Sequence, residues 1–326
     1  MPSKQEILLQ SKSAYNQWAV QWGEHAVKNA NWPMKSLKDF AQSGIGKSII
    51  LIGNGHSLEE EIETLIKYQR SCDIICCDKT IGHLLSHGVI PTYCVVCDAN
   101  VDYEKYLKPW AHLLSETILI MNVCGNPLWA ECQWKDRYFF VNKDIIKSEK
   151  EFMKLSGCTN VIAAATNVTG AMAVLLTQSD EKGIKNFFGY DLIGLVGVDY
   201  CWRKNKYYAF DNSGAGKDNY LRQITLCDLN GEICFTSSNL MFSQRWLAQY
   251  IKSFNLPFVQ CSKSSILATS KISDLKTIMN YNYKKEDMIK VKEAVFERKN
   301  LIKKIKDLEL NLKEIAFNHR LKFNTI

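Results

Sequence analysis

The sequence lacks any long uninterrupted apolar segment. Its first residues, MPSKQEILLQSKSAYNQW, contain no apolar core of signal-peptide length, and no run of about 18 apolar residues occurs anywhere in the chain. We therefore expect a cytoplasmic protein without a membrane span. The twelve cysteines agree with this expectation, because several lie inside apolar runs, where a free thiol behaves as a small buried hydrophobe.

The sequence also lacks the residues that would complete a zinc site. Cys94 and Cys97 form a C-x-x-C, but no second C-x-x-C or nearby Cys/His pair supplies the remaining ligands. The flanking residues TYCVVC are typical of a strand, on which side chains three positions apart point to opposite faces. We interpret the two cysteines as packing residues and predict no metal at this position.

The main part of the chain has no excess of positive charge. Residues from Tyr281 to the end carry 12 Lys/Arg against 7 Asp/Glu, whereas the preceding 280 residues carry 29 against 27. This near-neutrality argues against a broad nucleic-acid surface. From Met288 onward, apolar residues recur at spacings of three and four, interrupted by Arg298 and Glu309. The basic tail is either a helix packed on its own domain or a short coiled coil that forms a homo-oligomer.

Short apolar segments, by contrast, are abundant. We predict strands at KSIILIG, CDIICC, TYCVVC, ETILIMNV, RYFFVN, GYDLIGLVGVDY and PFVQC. Helices are predicted between them, among them LEEEIETLIKYQR, a helix that opens near Asn100 and Asp102, residues 166–182 and SQRWLAQYIKSF. The Asn-Gly pair of DLNGEICF predicts a hairpin.

Strands that are apolar throughout and alternate with helices indicate a parallel sheet covered on both faces. We predict an α/β, Rossmann-like domain over residues 45–280. A helical segment, residues 1–44, precedes it and breaks at Pro33. A basic helix, residues 281–326, follows it.

A glycine-bracketed loop follows the first predicted strand. Its residues are Gly53, Asn54, Gly55, His56 and Ser57. Glycine lets a backbone approach a ligand closely, and the N–H groups at the start of the next helix favour a phosphate. Ser57 would either cap that helix or bind the phosphate. The pattern also fits any tight strand-to-helix turn, so this alternative stays open.

Acidic and aromatic residues follow other strands. Asp78 comes after CDIICC and Asp98 after TYCVVC, where each either holds a ribose hydroxyl, a metal or a substrate amine, or caps a helix. The stretch GVDYCWRKNKYYAF adds Asp199, Tyr200 and Tyr208. Because ligands of such sheets bind at the carboxyl ends of the strands, we expect all five residues around one nucleotide-binding crevice.

Three of these motifs, taken in order, resemble a known family. The glycine loop, CDKTIGHLLSHGVIPTYCVVCDAN and LIGLVGVDY are similar to the motility-accessory-factor proteins, assigned as flagellin glycosyltransferases, and to archaeal 6-hydroxymethylpterin diphosphokinases. That family has an aspartate at the end of strand two and then G-I/V-x-P-x-x-x-V-x-x-D. Residues 88–91 and Asp98 match this pattern, and the resemblance spans about residues 45–270.

A more distant similarity is to bacterial CMP-sialic-acid sialyltransferases. Their G-N-G-P-S-L loop is similar to GNGHSL here, with Asn54 on its asparagine, and their S-G pair is similar to Thr169-Gly170. Their G-Y-x-x-I-x-L-x-G-I-D strand is similar to residues 189–199, and their C-P-N-S-L-L-A run is similar to residues 261–268.

The resemblance to sialyltransferases also implies roles. In those enzymes the loop cradles the CMP phosphate, and two tyrosines near a Y-A-F-D motif stabilise the departing phosphate. Tyr208 matches one tyrosine, and Tyr200 is a candidate substitute for the other. Two departures stand out. His56 replaces the loop proline, and the expected general-base histidine is missing, since no histidine lies between His112 and His319.

Without that histidine, the candidate bases are Asp199, Asp98, His56 and His83. Our leading expectation is a glycosyltransferase that moves a CMP-activated nonulosonic acid to an unknown acceptor, with catalytic roles for Asp199, Tyr208 and His56 and no required cofactor. The first alternative is a diphosphokinase that uses ATP and Mg²⁺ held by the acidic strand ends. The second is a catalytically silent nucleotide-sugar-binding module that assembles through its C-terminal helix.

Overall fold

The computed structural model describes residues 4–144, 146–179, 186–203, 206–210, 223–269 and 271–281. The strands are β1 Ser48–Ile52, β2 Asp73–Cys77, β3 Tyr93–Val96, β4 Ile118–Asn122, β5 Asp136–Asn142, β6 Val161–Ile162, β7 Leu192–Val196, β8 Ile224–Cys227, β9 Ile233–Thr236 and β10 Phe258–Gln260. The α-helices are α1 Lys4–Asn29, α2 Leu58–Tyr68, α3 Asp78–Ser86, α4 Tyr103–Tyr106, α5 Pro127–Ala130, α6 Glu149–Ser156, α7 Val168–Thr177, α8 Ser238–Phe254 and α9 Leu275–Met279.

The described strands form one parallel sheet and one hairpin. The sheet has eight strands in the order β10-β7-β1-β2-β3-β4-β5-β6, and β8 pairs with β9 in antiparallel fashion. This confirms the predicted Rossmann-like α/β fold and the predicted hairpin. The chain runs outward from β1 to β6 and then returns to β7 on the other side of β1. The switch point of the sheet, where ligands of such folds bind, therefore lies between β1 and β7.

Both faces of the sheet are covered. In β1, Ile50 and Ile52 pack into the core on one face, whereas Ile49 and Leu51 pack into the core on the other face. All four side chains are fully buried. Adjacent strand residues point to opposite faces, so a strand buried on both sides must be apolar at every position. This requirement explains the uninterrupted apolar segments of the sequence.

The N-terminal helix α1 packs on the sheet end that carries the carboxyl termini of β4 and β5. The Asn29 side chain donates hydrogen bonds to the carbonyl oxygens of Val123 and Gly125, at 2.8 Å and 3.0 Å. The Tyr15 hydroxyl donates to Glu151 on α6 at 2.6 Å. These contacts hold α1 over residues that follow β4, and they place its aromatic side chains beside the crevice at the strand ends.

Several predicted elements differ in length from those observed. The helix predicted near Asn100 and Asp102 is only the single turn α4, after which Lys108–Glu116 forms a 3₁₀ helix with a proline in its first turn. The helix predicted over residues 166–182 is α7, which ends at Thr177. The short elements α5, α6, α9 and β6 were not predicted. No helix of the described ranges has both the length and the apolar character that a membrane span needs. The predicted C-terminal helix, for which packing on its own domain and a coiled coil were both left open, lies outside the described residues from position 282 onward.

Candidate active site

The loops that follow β1 and β7 are hydrogen-bonded to each other at the switch point. The N–H of Gly53 donates to the carbonyl of Val196 at 2.9 Å, and the N–H of Gly55 donates to the carbonyl of Gly197 at 2.7 Å. The N–H of Ser57 donates to the Asp199 carboxylate at 2.8 Å. These three N–H groups therefore donate within the protein and are not available to a ligand. We call the two hydrogen-bonded loops, residues 53–57 and 197–199, the clasp.

The glycines allow the two loops to approach each other. A Cβ atom at Gly53 would lie 2.4 Å from the carbonyl oxygen of Gly197, and one at Gly197 would lie 2.5 Å from the carbonyl oxygen of Gly53. A Cβ atom at Gly55 would lie 2.4 Å from Oδ2 of Asp199. Real Cβ atoms do not reach such distances, so the G-x-G pattern is explained by the packing of the strand ends, independently of any ligand.

Ser57 does not cap α2, contrary to one of its predicted roles. Its buried hydroxyl donates to Oδ1 of Asp199 at 2.6 Å and accepts from the N–H of Gly197 at 3.1 Å. Asp199 is 1% exposed, and burial raises the pKa of its carboxyl to about 7, although the Ser57 hydrogen bonds oppose this shift. Ser57 thus positions Asp199 at the floor of the crevice.

His56 lies behind this carboxylate. Its Nδ1 is 3.2 Å from Oδ2 of Asp199, and its ring is 7% exposed. Burial lowers the pKa of His56, and the nearby Arg203 lowers it further, so the neutral ring is favoured. Neither ring nitrogen has an aligned hydrogen-bond partner among the described residues. His56 therefore packs against Asp199 as a neutral imidazole and does not line the crevice.

In front of Asp199 lies a cavity of about 630 Å³, which we call the switch-point cavity. This volume is within the range of roughly 300–1,000 Å³ that is usual for ligand sites. Polar and aromatic side chains line much of it: Asn54, Asp78, Lys79, Asp98, Asn142, Thr166, Asn167, Thr169, Asp199, Tyr200, Tyr207 and Tyr208. Among the described lining residues, Lys79 is the one basic side chain.

Asp78 and Lys79 open helix α3 directly after β2. Asp78 is 3% exposed and accepts a hydrogen bond from the N–H of Lys79 at 2.7 Å. Burial raises the pKa of Asp78 to about 6, and the neighbouring Asp98 adds to this shift. Burial opposes protonation of Lys79, but Tyr208 and Asp78 prevail and raise the pKa of Lys79 to about 12. Lys79 therefore carries a positive charge inside the cavity at neutral pH.

Residues 206–210 fold back over the glycine loop and bring Tyr208 to the cavity. The Lys206 ammonium and the Phe210 N–H both donate to the Glu59 carboxylate on α2, and the N–H of Ala209 donates to the carbonyl of Asn54 at 3.0 Å. The ammonium of Lys79 lies 5.3 Å from the centroid of the Tyr208 ring. The two side chains thus form a cation–π pair in the cavity wall.

Tyr200 is held in an unusual backbone conformation beside Asp199. Its φ angle is 55°, in the left-handed region that non-glycine residues rarely adopt. The Thr236 hydroxyl on β9 donates to its carbonyl at 2.7 Å. This conformation turns the Tyr200 side chain toward the cavity.

Four buried oxygen atoms of the cavity wall lack a hydrogen-bond partner within the described part of the chain. They are Asn54 Oδ1, Asn142 Oδ1, Thr166 Oγ1 and the Tyr200 hydroxyl. An unpaired buried polar group costs about 1–3 kcal/mol, and native proteins rarely leave several together. Their convergence on one cavity is therefore an argument for a polar ligand.

Helix α7 begins at the opposite wall. Asn167 caps it, since its Oδ1 accepts from the N–H of Gly170 at 2.8 Å. Thr169, in the first turn, lines the cavity, whereas Gly170 does not and instead packs against Trp246. The first turn of a helix favours an anion, and here it faces the same space as Lys79.

Most of the predicted site residues come together. Asn54, Gly55, Asp78, Asp98, Thr169, Asp199, Tyr200 and Tyr208 all line the switch-point cavity. Four predicted residues do not line the cavity but contact residues that do: Gly53, His56, Ser57 and Gly170. His83, a candidate base, packs against Phe210 with ring centroids 5.3 Å apart and planes tilted by 35°, and it is not a lining residue. Asp211, the last residue of the Y-A-F-D motif, lies outside the described residues.

Sequence reasoning missed Lys79, Asn142, Thr166 and Asn167. Lys79 directly follows a predicted site aspartate at the start of a helix, and this position was a usable signal. Asn142 similarly ends a predicted strand, RYFFVN, as Asp78 and Asp98 follow theirs. Thr166 and Asn167 follow the two-residue strand β6, for which the sequence has no pattern.

Asp78 and Asp98 are the residues that suit a magnesium ion. They follow the adjacent parallel strands β2 and β3, and Asp98 is close enough to raise the pKa of Asp78. The described residues contain no cluster of three His, Cys, Asp or Glu side chains with metal-binding geometry. Mg²⁺ bound to substrate phosphates and water needs only one or two carboxylates, so this pair fits such an ion.

Comparison with solved structures identifies a protein of similar fold. A structure of "MAf glycosyltransferase from Magnetospirillum magneticum AMB-1" aligns with 82% of this chain at a TM-score of 0.56 and 14% sequence identity. The alignment covers 42% of that protein, so the present chain spans less than half of its length. At this identity the likeness establishes the fold. No curated protein sequence matches the chain.

Family models give a more specific result. The model described as "6-hydroxymethylpterin diphosphokinase MptE-like" matches residues 24–205, more than half of the chain. The matched region contains β1 to β7 and the loops that build the switch-point cavity, apart from residues 206–210. The chain belongs to the 6-hydroxymethylpterin diphosphokinase MptE-like family.

Proposed function

We propose that the chain is a glycosyltransferase that uses a nucleotide-activated sugar, with a CMP-linked nonulosonic acid as donor. The observation that carries this proposal is the joint placement of Lys79, Tyr200, Tyr208 and the first turn of α7 around one cavity at the switch point. The fold shared with a protein named as a glycosyltransferase supports the reaction class. The choice of CMP rests on the resemblance of the sequence motifs to those of sialyltransferases.

In this proposal the donor phosphate lies between Lys79 and the N-terminus of α7. Transfer breaks the bond between the anomeric carbon and the phosphate oxygen, and the electron pair stays on the phosphate. Lys79 and the hydroxyls of Tyr208 and Tyr200 offset the charge that develops there. This assignment moves the phosphate away from the glycine loop, whose Gly53, Gly55 and Ser57 N–H groups already donate within the protein.

The acceptor hydroxyl forms the new bond to the anomeric carbon and loses its proton to a carboxylate. His56 and His83 do not line the cavity. Both oxygens of Asp199 already accept hydrogen bonds from Ser57. We therefore assign proton acceptance to Asp98, which is exposed and uses Oδ1 to accept from the N–H of Asn100. Asp199, with its pKa raised to about 7, organises the floor.

One observation favours a second function. The adjacent carboxylates Asp78 and Asp98 fit a magnesium ion that would be shared with the phosphates of ATP, as a diphosphokinase requires. The magnesium would neutralise the phosphates while this chain's carboxylates position it. The two functions differ in nucleotide and in metal dependence, so binding alone separates them.

A thermal-shift panel of CMP, CDP, UDP, GDP and ATP, each with and without Mg²⁺, tests the proposal. We expect CMP to raise the melting temperature without metal, because ligand binding to the folded state stabilises it. ATP with Mg²⁺ as the only active combination would replace the glycosyltransferase with the diphosphokinase. Binding of CMP without donor turnover or hydrolysis would indicate a silent binding module.

Two variants test the roles within the cavity. Tyr208→Phe should lower kcat by about tenfold or more with little change in CMP affinity, because its hydroxyl acts on charge that develops during transfer. Asp98→Asn should retain CMP binding and lose transfer. Equal losses of affinity and rate in Tyr208→Phe would contradict a role in the transition state. Tyr68→Phe, outside the cavity, is the control.

A further inference from the structure

A second cavity adjoins the switch-point cavity, and nothing in the proposed donor site accounts for it. Its volume is about 390 Å³, and we call it the outer cavity. It lies at the carboxyl ends of β4 and β5, beneath α1. Residues that line both cavities form the shared wall: Ala14, Trp22, Cys97, Asn142, Ala165 and Thr166. The two cavities are thus neighbouring parts of one crevice along the strand ends.

Aromatic rings dominate the lining of the outer cavity. Tyr15, Trp22, Phe152, Phe242 and Trp246 all contribute. Trp246 stacks on Tyr250, with centroids 5.2 Å apart and planes within 8°. Trp22 contacts Phe152 edge-on, with centroids 6.2 Å apart. Phe152 is buried, whereas the other four lining rings are partly exposed and present surface to the cavity.

The polar groups of the outer cavity are mostly uncharged. Asn142 Oδ1 and Thr166 Oγ1, on the shared wall, are buried and lack a partner within the described ranges. Lys143 and Asp144 carry opposite charges, and Asp144 accepts from both the N–H and the hydroxyl of Ser148. A cavity with aromatic walls, unpaired amide and hydroxyl oxygens and balanced charge suits a neutral molecule that has hydroxyl groups and an apolar face.

We propose that the outer cavity is the acceptor subsite and that the acceptor is a glycoside. A sugar ring has C–H faces that pack on aromatic rings and hydroxyls that donate to amide and hydroxyl oxygens. A ring bound there would place its hydroxyls at the shared wall, beside Asn142 and Thr166 and toward Asp98 in the neighbouring cavity. The acceptor role rests on the proposed transferase function, whereas glycoside binding can be measured without it.

Adjacent alanines in the segment VIAAAT provide a matched pair of variants. Ala164 lines the outer cavity and not the switch-point cavity, whereas Ala163 is exposed and lines neither. Ala164→Trp should fill the outer cavity, and Ala163→Trp adds the same side chain next to it. Ser11→Trp, on α1 at the other wall, fills the same space independently. Circular dichroism and the melting temperature report whether each variant folds.

The measurement is saturation-transfer NMR with methyl β-galactoside as the probe, with and without CMP. We expect the unmodified protein and Ala163→Trp to bind the probe, and Ala164→Trp and Ser11→Trp to bind it about tenfold or more weakly. CMP binding should be unchanged in all four proteins, and CMP should not displace the glycoside.

The proposal fails if the probe does not bind, if CMP displaces it, or if folded Ala164→Trp and Ser11→Trp bind it as the unmodified protein does. Failure of the donor proposal looks different. In that case CMP does not bind any of the proteins, while the glycoside still binds and still distinguishes Ala164→Trp from Ala163→Trp.

Discussion

The switch-point cavity and the outer cavity share a wall, but the side chains that build them differ in kind. The switch-point cavity contains three aspartates and a lysine, and its floor is fixed by hydrogen bonds between two loops. The outer cavity has aromatic walls, and helix α1 closes it from above. The first is built mainly from residues that follow the sheet strands, whereas the second depends more on α1, which precedes the sheet in sequence and contributes four of its lining residues.

Because the two cavities are built differently, we expect them to differ in how well they tolerate amino-acid substitutions. In the switch-point cavity, Gly53, Gly55, Ser57, Gly197 and Asp199 are mutually constrained, so a change at one of them should affect both ligand binding and folding. In the outer cavity, the small side chains of Ser11 and Ala164 lie on separate elements and border open space. Changes at these two positions should affect ligand binding and leave folding intact.

The largest expected effect comes from adding one methyl group to the clasp. Gly55→Ala places a Cβ atom 2.4 Å from Oδ2 of Asp199 and 2.7 Å from the carbonyl oxygen of Gly197. We expect the free energy of unfolding to fall by about 3 kcal/mol, the upper part of the range for overpacked sites. Chemical denaturation followed by circular dichroism measures it.

A second glycine provides the control. Gly23 lies inside α1, and a Cβ atom there would meet only Leu155 Cδ1, at 3.8 Å. Gly23→Ala should therefore stabilise the protein by about 0.5–1 kcal/mol, since alanine is the better helix former. If both variants changed stability in the same direction, the contrast between a constrained clasp and a tolerant outer region would be wrong.

A smaller effect concerns the pH dependence of stability. Burial raises the pKa of Asp78 to about 6, so the folded protein binds a proton there more tightly than the unfolded chain. Its contribution to the free energy of unfolding is nearly complete at about pH 4, close to the pKa of the unfolded carboxyl, and is lost as pH rises through about 6. Through this group, the free energy of unfolding of the wild-type protein should fall by about 2 kcal/mol between pH 4 and pH 6.

Asp78→Asn should remove that part of the loss, because an amide does not ionise and its oxygen can still accept from the N–H of Lys79. Asp199, whose pKa is raised to about 7, contributes a loss of the same sign and remains in the variant. The quantity to measure is thus the difference in free energy of unfolding between wild type and variant, followed from pH 4 to pH 6. Asp102→Asn, at an exposed helix cap where asparagine serves as well as aspartate, is the control. A difference that stays constant from pH 4 to pH 6 would show that Asp78 does not titrate in this window.

The two cavities also differ in how far the sequence predicts them. The β strands are apolar on both faces, and this property requires helices on both sides, so the parallel sheet followed from pattern alone. Asp78, Asp98 and Asp199 end or follow such strands, and the topology brings strand ends together. The fold and the acidic part of the crevice were therefore predictable.

The role of Ser57 was not predictable. A serine before a helix is an ordinary cap, and only the position of Asp199, 142 residues away, turns its hydroxyl elsewhere. The outer cavity is less predictable still, because Trp22, Phe152 and Trp246 meet through the packing of three helices and share no motif. Sequence periodicity describes one element at a time, and such contacts depend on several.

The last prediction tests whether the charge of the switch-point cavity serves a phosphate. Lys79→Met keeps most of the apolar stem and removes the ammonium beside Tyr208. We expect the affinity for CMP to fall by about tenfold, or ~1.4 kcal/mol, and the affinity for the nucleoside cytidine to stay the same. Isothermal titration calorimetry with both compounds measures the difference, and Lys67→Met, an exposed substitution on α2, is the control. Methyl β-galactoside should bind this variant normally, since Lys79 does not line the outer cavity. Equal losses for CMP and cytidine would mean that Lys79 acts through the fold of the cavity, and the phosphate would have to be placed elsewhere.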